Sequence, residues 1–268
     1  MQHHTHHQLT ESTIAGWLPI FLITVIAFAY LYALIGLKNR RNTLDTWRTI
    51  SFMCGICLLG IAMAPSLAQW AHSDLRGHMV QHLLIGMFAP IFLVLGAPIT
   101  LALKVSPVNV ARSITTVLKS RVFQIASHPV TAFLLNIGGM YLLYLTPLYN
   151  ESFTKPYLHY VMHLHFLVAG YVFTWSMIGV DPAPKRPGLR VRVFVLFISI
   201  ASHAFLSKFM YAYLFPLNSP HSDEQIRAAA KLMYYWGDLS ELLLTIALFA
   251  IWYQKRGRAK YDLSPLIS

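Results

Sequence analysis

Of the chain's 268 residues, 56% are hydrophobic and only 12% are charged, and the mean hydropathy is positive. This excludes an ordinary soluble domain and points to an all-α, polytopic membrane helical bundle, because long apolar helices satisfy their own backbone in lipid. A formal net charge of +11 on a soluble surface would indicate a nucleic-acid partner. Here the cations fall between apolar runs, so the lipid bilayer is the expected partner and nucleic acid is not.

Residues 1–16 include His3, His4, His6 and His7 and read as an external His-rich tail. No basic n-region precedes the first apolar run and no small-residue cleavage site follows it, so no removable signal peptide is expected. Seven transmembrane helices are predicted, over residues 17–37, 49–69, 78–103, 123–145, 157–180, 191–214 and 232–253. Together they form one membrane domain over 17–253. Lys38, Arg40, Arg41 and Arg48 lie in or beside the first connection; Lys104, Arg112, Lys119 and Arg121 in the third; Lys185, Arg186, Arg190 and Arg192 in or beside the fifth. Residues 254–268 add Lys255, Arg256, Arg258 and Lys260 as a cytoplasmic basic tail. Short loops rich in Lys and Arg stay in the cytoplasm. The expected orientation is therefore N-terminus outside and C-terminus inside.

Several spans carry marked residues. The second holds a lone CxxC, Cys54 and Cys57, expected as buried small residues rather than as a redox or copper pair. The third opens with His78 and His82, four apart and so on one helix face. Its Pro90 and Pro98 predict a bend and an irregular finish. In the connection that follows, Val110, Ile114, Val117, Leu118 and Val122 recur at helical spacing beside basic residues. They predict a short amphipathic helix on the inner leaflet. The fifth span opens with His159, His163 and His165; the first two share a face and His165 points elsewhere. The sixth carries His203 and Lys208, and the seventh carries Asp238 and Glu241, three apart.

Orientation and helical rise sort these groups by depth. His82 falls roughly 6 Å below the outer end of its span, His163 and Asp238 roughly 9–10 Å, and His203 and Glu241 roughly 15–17 Å. Imidazoles with carboxylate support suit copper, zinc or iron, and Met79, Met87 and Met162 would add thioethers that favour Cu(I). The expected metal ligands are His78, His82, His159, His163, His203 and Asp238. Bland readings compete with this. A single intramembrane His is more often bonded to a neighbouring helix. A haem needs only one imidazole from each of two helices. Asp238 and Glu241 can pair with Lys208, and methionines commonly fill cores. No phosphate loop, nucleophile elbow or HExxH motif is present, so hydrolase and nucleotide chemistry have no support.

Ordered motifs give the chain a resemblance. His78-Met-Val-Gln-His82-Leu-Leu is followed by Leu95-Gly96-Ala97-Pro98, then by His159-x-x-x-His163 with Phe166-Leu167 and Gly170. Gly179-Val-Asp181-Pro182-Ala-Pro184 with Arg186, His203-Ala204-Phe205-Leu206 and Trp236-Gly237-Asp238 follow. This set, over roughly residues 17–253, resembles the CtaG family of cytochrome c oxidase assembly factors, the multi-span membrane type. Ser176 and Ser207 depart from the family's usual residues, and so does the segment from Asp223 to Ala229. The resemblance implies a non-enzymatic factor of a bacterial plasma membrane that helps to build a haem–copper oxidase. Its expected partners are the oxidase subunits and external copper carriers, and its expected cargo is copper. A membrane copper transporter and an accessory oxidase subunit that binds no metal are the alternatives.

Overall fold

The computed structural model describes residues 3–39, 43–183 and 185–263, with side chains described for 17–38, 43–155, 157–183 and 185–257. The side chains of the N-terminal histidines and of Arg40, Arg41, Arg258 and Lys260 lie outside this range. Every regular element among the described residues is helical. In order they are α1 (His3–Asn39), α2 (Thr46–Ala62), α3 (Pro65–Ser73) and α4 (Leu75–Leu83). A π-helical turn, π1 (Leu84–Phe88), leads into α5 (Ala89–Leu95), α6 (Pro98–Val105), α7 (Val108–Lys119) and α8 (Arg121–Ala126). Then come α9 (Pro129–Leu145), α10 (Leu148–Thr154), α11 (Pro156–Ile178), α12 (Leu189–Tyr213) and α13 (Asp223–Leu263).

Five helices are long and apolar enough to cross a membrane, or up to seven if each of two bent pairs counts as one span. The bent pairs are α2 with α3, at 52°, and α9 with α10, at 75°. Each break has a local cause. Pro65 opens α3 and Pro147 precedes α10, where a missing N–H and a clash with the preceding turn stop a helix. The predicted spans differ from the helices in the same way. The third ends at Leu95, not near 103, because Ala97 adopts a left-handed conformation and Pro98 starts α6. The fourth begins at Pro129, after the break at Ser127-His128. The amphipathic stretch forms α7, with Val108, Val110 and Val117 exposed and Leu118 buried.

Burial ranks the helices. The apolar window of α1 is 11% buried, against 72% for Leu75–Leu95 and 61% for Tyr157–Ile178. Trp17, Phe21, Phe28 and Tyr32 point outward from α1, as a lipid-facing helix requires. The segments that carry the two His-x-x-x-His pairs are therefore the centre of the bundle. They cross at a backbone contact: a Cβ on Gly170 of α11 would overlap the carbonyl of Gly86 in π1. Only glycine allows that approach.

The cysteines are a correction. Both are free and exposed, because Ser51, Phe52, Gly55, Ile56 and Leu59 form the inward face of α2 and residues 54 and 57 fall on the opposite one.

Candidate metal centre

The histidines form a column whose exposure falls with each step inward. His72 on α3 is exposed and stacks on His159 of α11, with ring centroids 5.0 Å apart. His159 is half-buried and meets His163 at 4.2 Å. His163 is 8% exposed, His78 3%, His82 2% and His203 0%. His78 lies within electrostatic reach of His72, His82 and His159, and His82 within reach of both His163 and His203. The column thus links α3, α11, α4 and α12.

Aromatic rings wall the outer end. His78 meets Tyr149 edge-on at 5.1 Å and Tyr144 at 6.2 Å. The bend after α9 folds α10 over the histidines, bringing Phe153 to 6.3 Å from His72. His221 closes the rim through a 2.9 Å hydrogen bond with the Tyr149 hydroxyl. Burial pushes the His221 imidazole below its ordinary value. Asp74 caps α4 by accepting from Arg76 N at 2.8 Å. The Arg76 guanidinium bonds the same carboxyl and holds it below the usual carboxylate range.

The deep end converges. His203, Asp238 and Glu241 bring one donor atom each to within 4.8 Å of one another, the one group of three or more His, Cys, Asp or Glu to do so among the described residues. Their polar atoms are not satisfied by the protein. Both ring nitrogens of His203, Oδ1 of Asp238 and Oε2 of Glu241 are buried without a hydrogen-bond partner. His203 Nδ1 stands 3.9 Å from Glu241 Oε2, too far for a hydrogen bond. Lys208 does not neutralise them by a close ion pair; its ammonium sits 5.1 Å over the Tyr234 ring, within electrostatic reach of Asp238. Unpartnered ligand atoms on a buried imidazole, a buried carboxylate and a half-buried one fit a bound cation. Glu241 also rims a cavity of about 20 Å³ with Asn136, Thr174 and Ser240, room for about one water.

The six expected ligands therefore fall into separate places. His203 and Asp238 join Glu241, which the i,i+3 spacing on α13 brings to the same side. His78, His159 and His163 line the outer column. His82 stands between, with Nε2 3.1 Å from Met140 Sδ and its ring 4.4 Å from Phe166. His165 faces α9 instead, at 3.1 Å from Leu135 O. The expected set lacked His72, Glu241 and Met140. Glu241 had a signal in its spacing from Asp238. His72 sits six residues before His78 and on another helix, and Met140 is one of several core-facing methionines, so neither had one. Met79, Met87 and Met162 are buried in the core.

Comparison with known proteins finds curated relatives and one family. The chain is 36% identical to an uncharacterized protein of Mycobacterium bovis, Mb0105, over 188 residues that cover 68% of this chain and 28% of the relative. It is 29% identical to an uncharacterized protein of Mycobacterium leprae, ML1998, over 248 residues, 85% of this chain and 37% of the relative. The chain thus spans well under half the length of these curated relatives. No solved structure matches it. The family model described as cytochrome c oxidase caa3 assembly factor (Caa3_CtaG) matches residues 28–255, and the chain belongs to that family.

Proposed function

We propose that the protein is a multi-pass factor of the bacterial plasma membrane that helps to assemble a haem–copper cytochrome c oxidase by receiving copper at the outer face and holding it for transfer. One observation carries the reading: a column of imidazoles, graded from exposed His72 to fully buried His203, ends on a converged set of unpartnered donors. Nitrogen and carboxylate donors at the deep end suit Cu(II). Copper is cargo here, so the role requires no turnover and the protein is not an enzyme. His78, His82, His159, His163, His203 and Asp238, joined by His72 and Glu241, pass and hold the ion. The oxidase subunits are the receiving partners, and external copper carriers dock at the His72 end. The topology is seven spans with each bent pair counted as one, N-terminus outside and the basic connections in the cytoplasm.

The test is a strain carrying His163→Ala. It should make the oxidase polypeptides but an enzyme without copper or activity, and excess external copper should partly restore both. Normal oxidase copper and activity in that strain would overturn delivery. An accessory subunit would tolerate His163→Ala, whereas deleting it would lose the complex in a way copper cannot repair. A transporter would lower cytoplasmic copper and affect other copper proteins. The outward-facing Cys54 and Cys57 weigh against a path lined by that pair.

A further inference from the structure

The end of the bundle opposite the histidine column carries a second polar feature. A cavity of about 340 Å³ is lined by Asp45, Trp47, Arg48, Val180, Ile251, Gln254 and Lys255. It lies between the start of α2, the loop after α11 and the lower half of α13. Arg186 and Arg192 stand behind it, both within electrostatic reach of Lys255. Two cations thus line the opening, and two more add to the positive field at Lys255.

Their partners do not use them up. Lys255 Nζ donates to Gly179 O at 2.6 Å, Arg192 Nη1 to Met177 O at 2.7 Å and Arg186 Nη2 to Asp181 O at 3.2 Å. These bonds cap carbonyls at the end of α11 and in the loop that follows it, and each leaves donors over. The Nε atoms of Arg186 and Arg192 are buried without a partner. Arg48 Nε meets Asp45 Oδ2 only at 3.3 Å, outside hydrogen-bond geometry. Two carboxylates are at hand, and one of them is committed elsewhere. Asp181 accepts from Thr100 N at 2.7 Å, from Thr100 Oγ1 at 2.6 Å and from Ile99 N at 3.4 Å, holding the first turn of α6. Burial and the nearby Arg192 lower the Arg186 guanidinium to about 10, as expected for cations crowded without enough counter-charge.

The surroundings say what kind of anion fits. Trp47 is exposed beside the cavity and its ring lies 5.5 Å under the Arg48 guanidinium, the place of an aromatic anchor at headgroup level. Toward the bundle centre the cavity wall is apolar at Val180 and Ile251, and exposed Ile50 lies one turn beyond Trp47 on α2. A cationic pocket above an apolar flank matches a molecule with an anionic head and hydrocarbon tails. A phosphate accepts several charge-assisted hydrogen bonds at once from guanidinium and ammonium groups. We infer that this cavity binds the phosphate group of an anionic phospholipid, with Arg48 and Lys255 as its direct ligands and the acyl chains along α2.

Retained lipid is counted by native mass spectrometry after release from nanodiscs of equal phosphatidylglycerol and phosphatidylcholine. The wild-type protein should keep phosphatidylglycerol preferentially. R48Q/K255Q should bind it about 30-fold more weakly, and each single variant about fivefold, at roughly a factor of five per surface cation. R48K/K255R should keep the preference. A wild-type protein without preference, or full retention by R48Q/K255Q, would overturn the site. Inorganic phosphate at the same concentration displacing the lipid would overturn the lipid assignment in favour of a free anion.

Discussion

The imidazole of His203 on α12 packs directly against the backbone of Gly237 on α13, so closely that a Cβ at 237 would overlap the ring's Cε1. The glycine is what lets a bulky ring enter the helix interface and face two carboxylates. Gly237→Ala should therefore push His203 out of the group, destabilise the protein by about 1–3 kcal/mol through overpacking and abolish metal binding at the triad. Metal stoichiometry of purified protein beside its thermal melt checks both effects. Unchanged stoichiometry would refute a role for His203 as ligand.

Glu241→Gln keeps the size of the side chain and removes its charge. It should weaken Cu(II) binding by more than the roughly 10–100-fold that follows loss of an outer-shell partner, while folding is preserved because the amide fills the same volume. His159→Ala/His163→Ala should instead slow loading and leave one equivalent bound at equilibrium. Competition titration separates affinity from rate, and equal loss of affinity in both variants would show that the column and the triad are one site.

A reporter fused after Tyr149 should lie outside the cell, and one fused after Gly188 in the cytoplasm. The reverse pattern would place the exposed end of the histidine column on the inner face and overturn the proposed route for copper.

The bond between Asp74 and Arg76 makes stability depend on acid. The folded protein holds the Asp74 carboxyl below its ordinary value, so its contribution is fully present above about pH 4. It is lost as pH falls through the lowered folded value. Asp74→Ala should remove this acid-side loss and cost about 0.5–2 kcal/mol at neutral pH, since the capping bond to Arg76 N goes with it. Melting temperature against pH for the two proteins is the measurement, and parallel curves would refute it.

Much of this was legible in residues of the right type at helical spacing. His78 and His82, His159 and His163, and Asp238 and Glu241 each share a side because helices repeat every 3.6 residues. What periodicity cannot report is which helices meet. Depth counting set Asp238 level with His163 and apart from Glu241, yet the packing of α12 on α13 gathers both carboxylates at His203. His72 was out of reach for a similar reason: its stacking on His159 depends on the 52° bend between α2 and α3. Cys54 and Cys57 were misjudged because an apolar residue facing lipid and one facing a core look alike in sequence.

The graded exposure of the histidines bears on which ions can travel inward. A hydrated cation arriving at His72 must exchange its water shell for imidazole nitrogen, because each further ring is drier than the last. Magnesium and calcium prefer oxygen ligands, and magnesium gives up its water reluctantly, so on the proposed route they would stop at the surface. Ions that prefer nitrogen lose little at each exchange. On the proposed copper route, the column would work as a dehydration filter whose selectivity comes from the order of the steps as well as from the last ligand set.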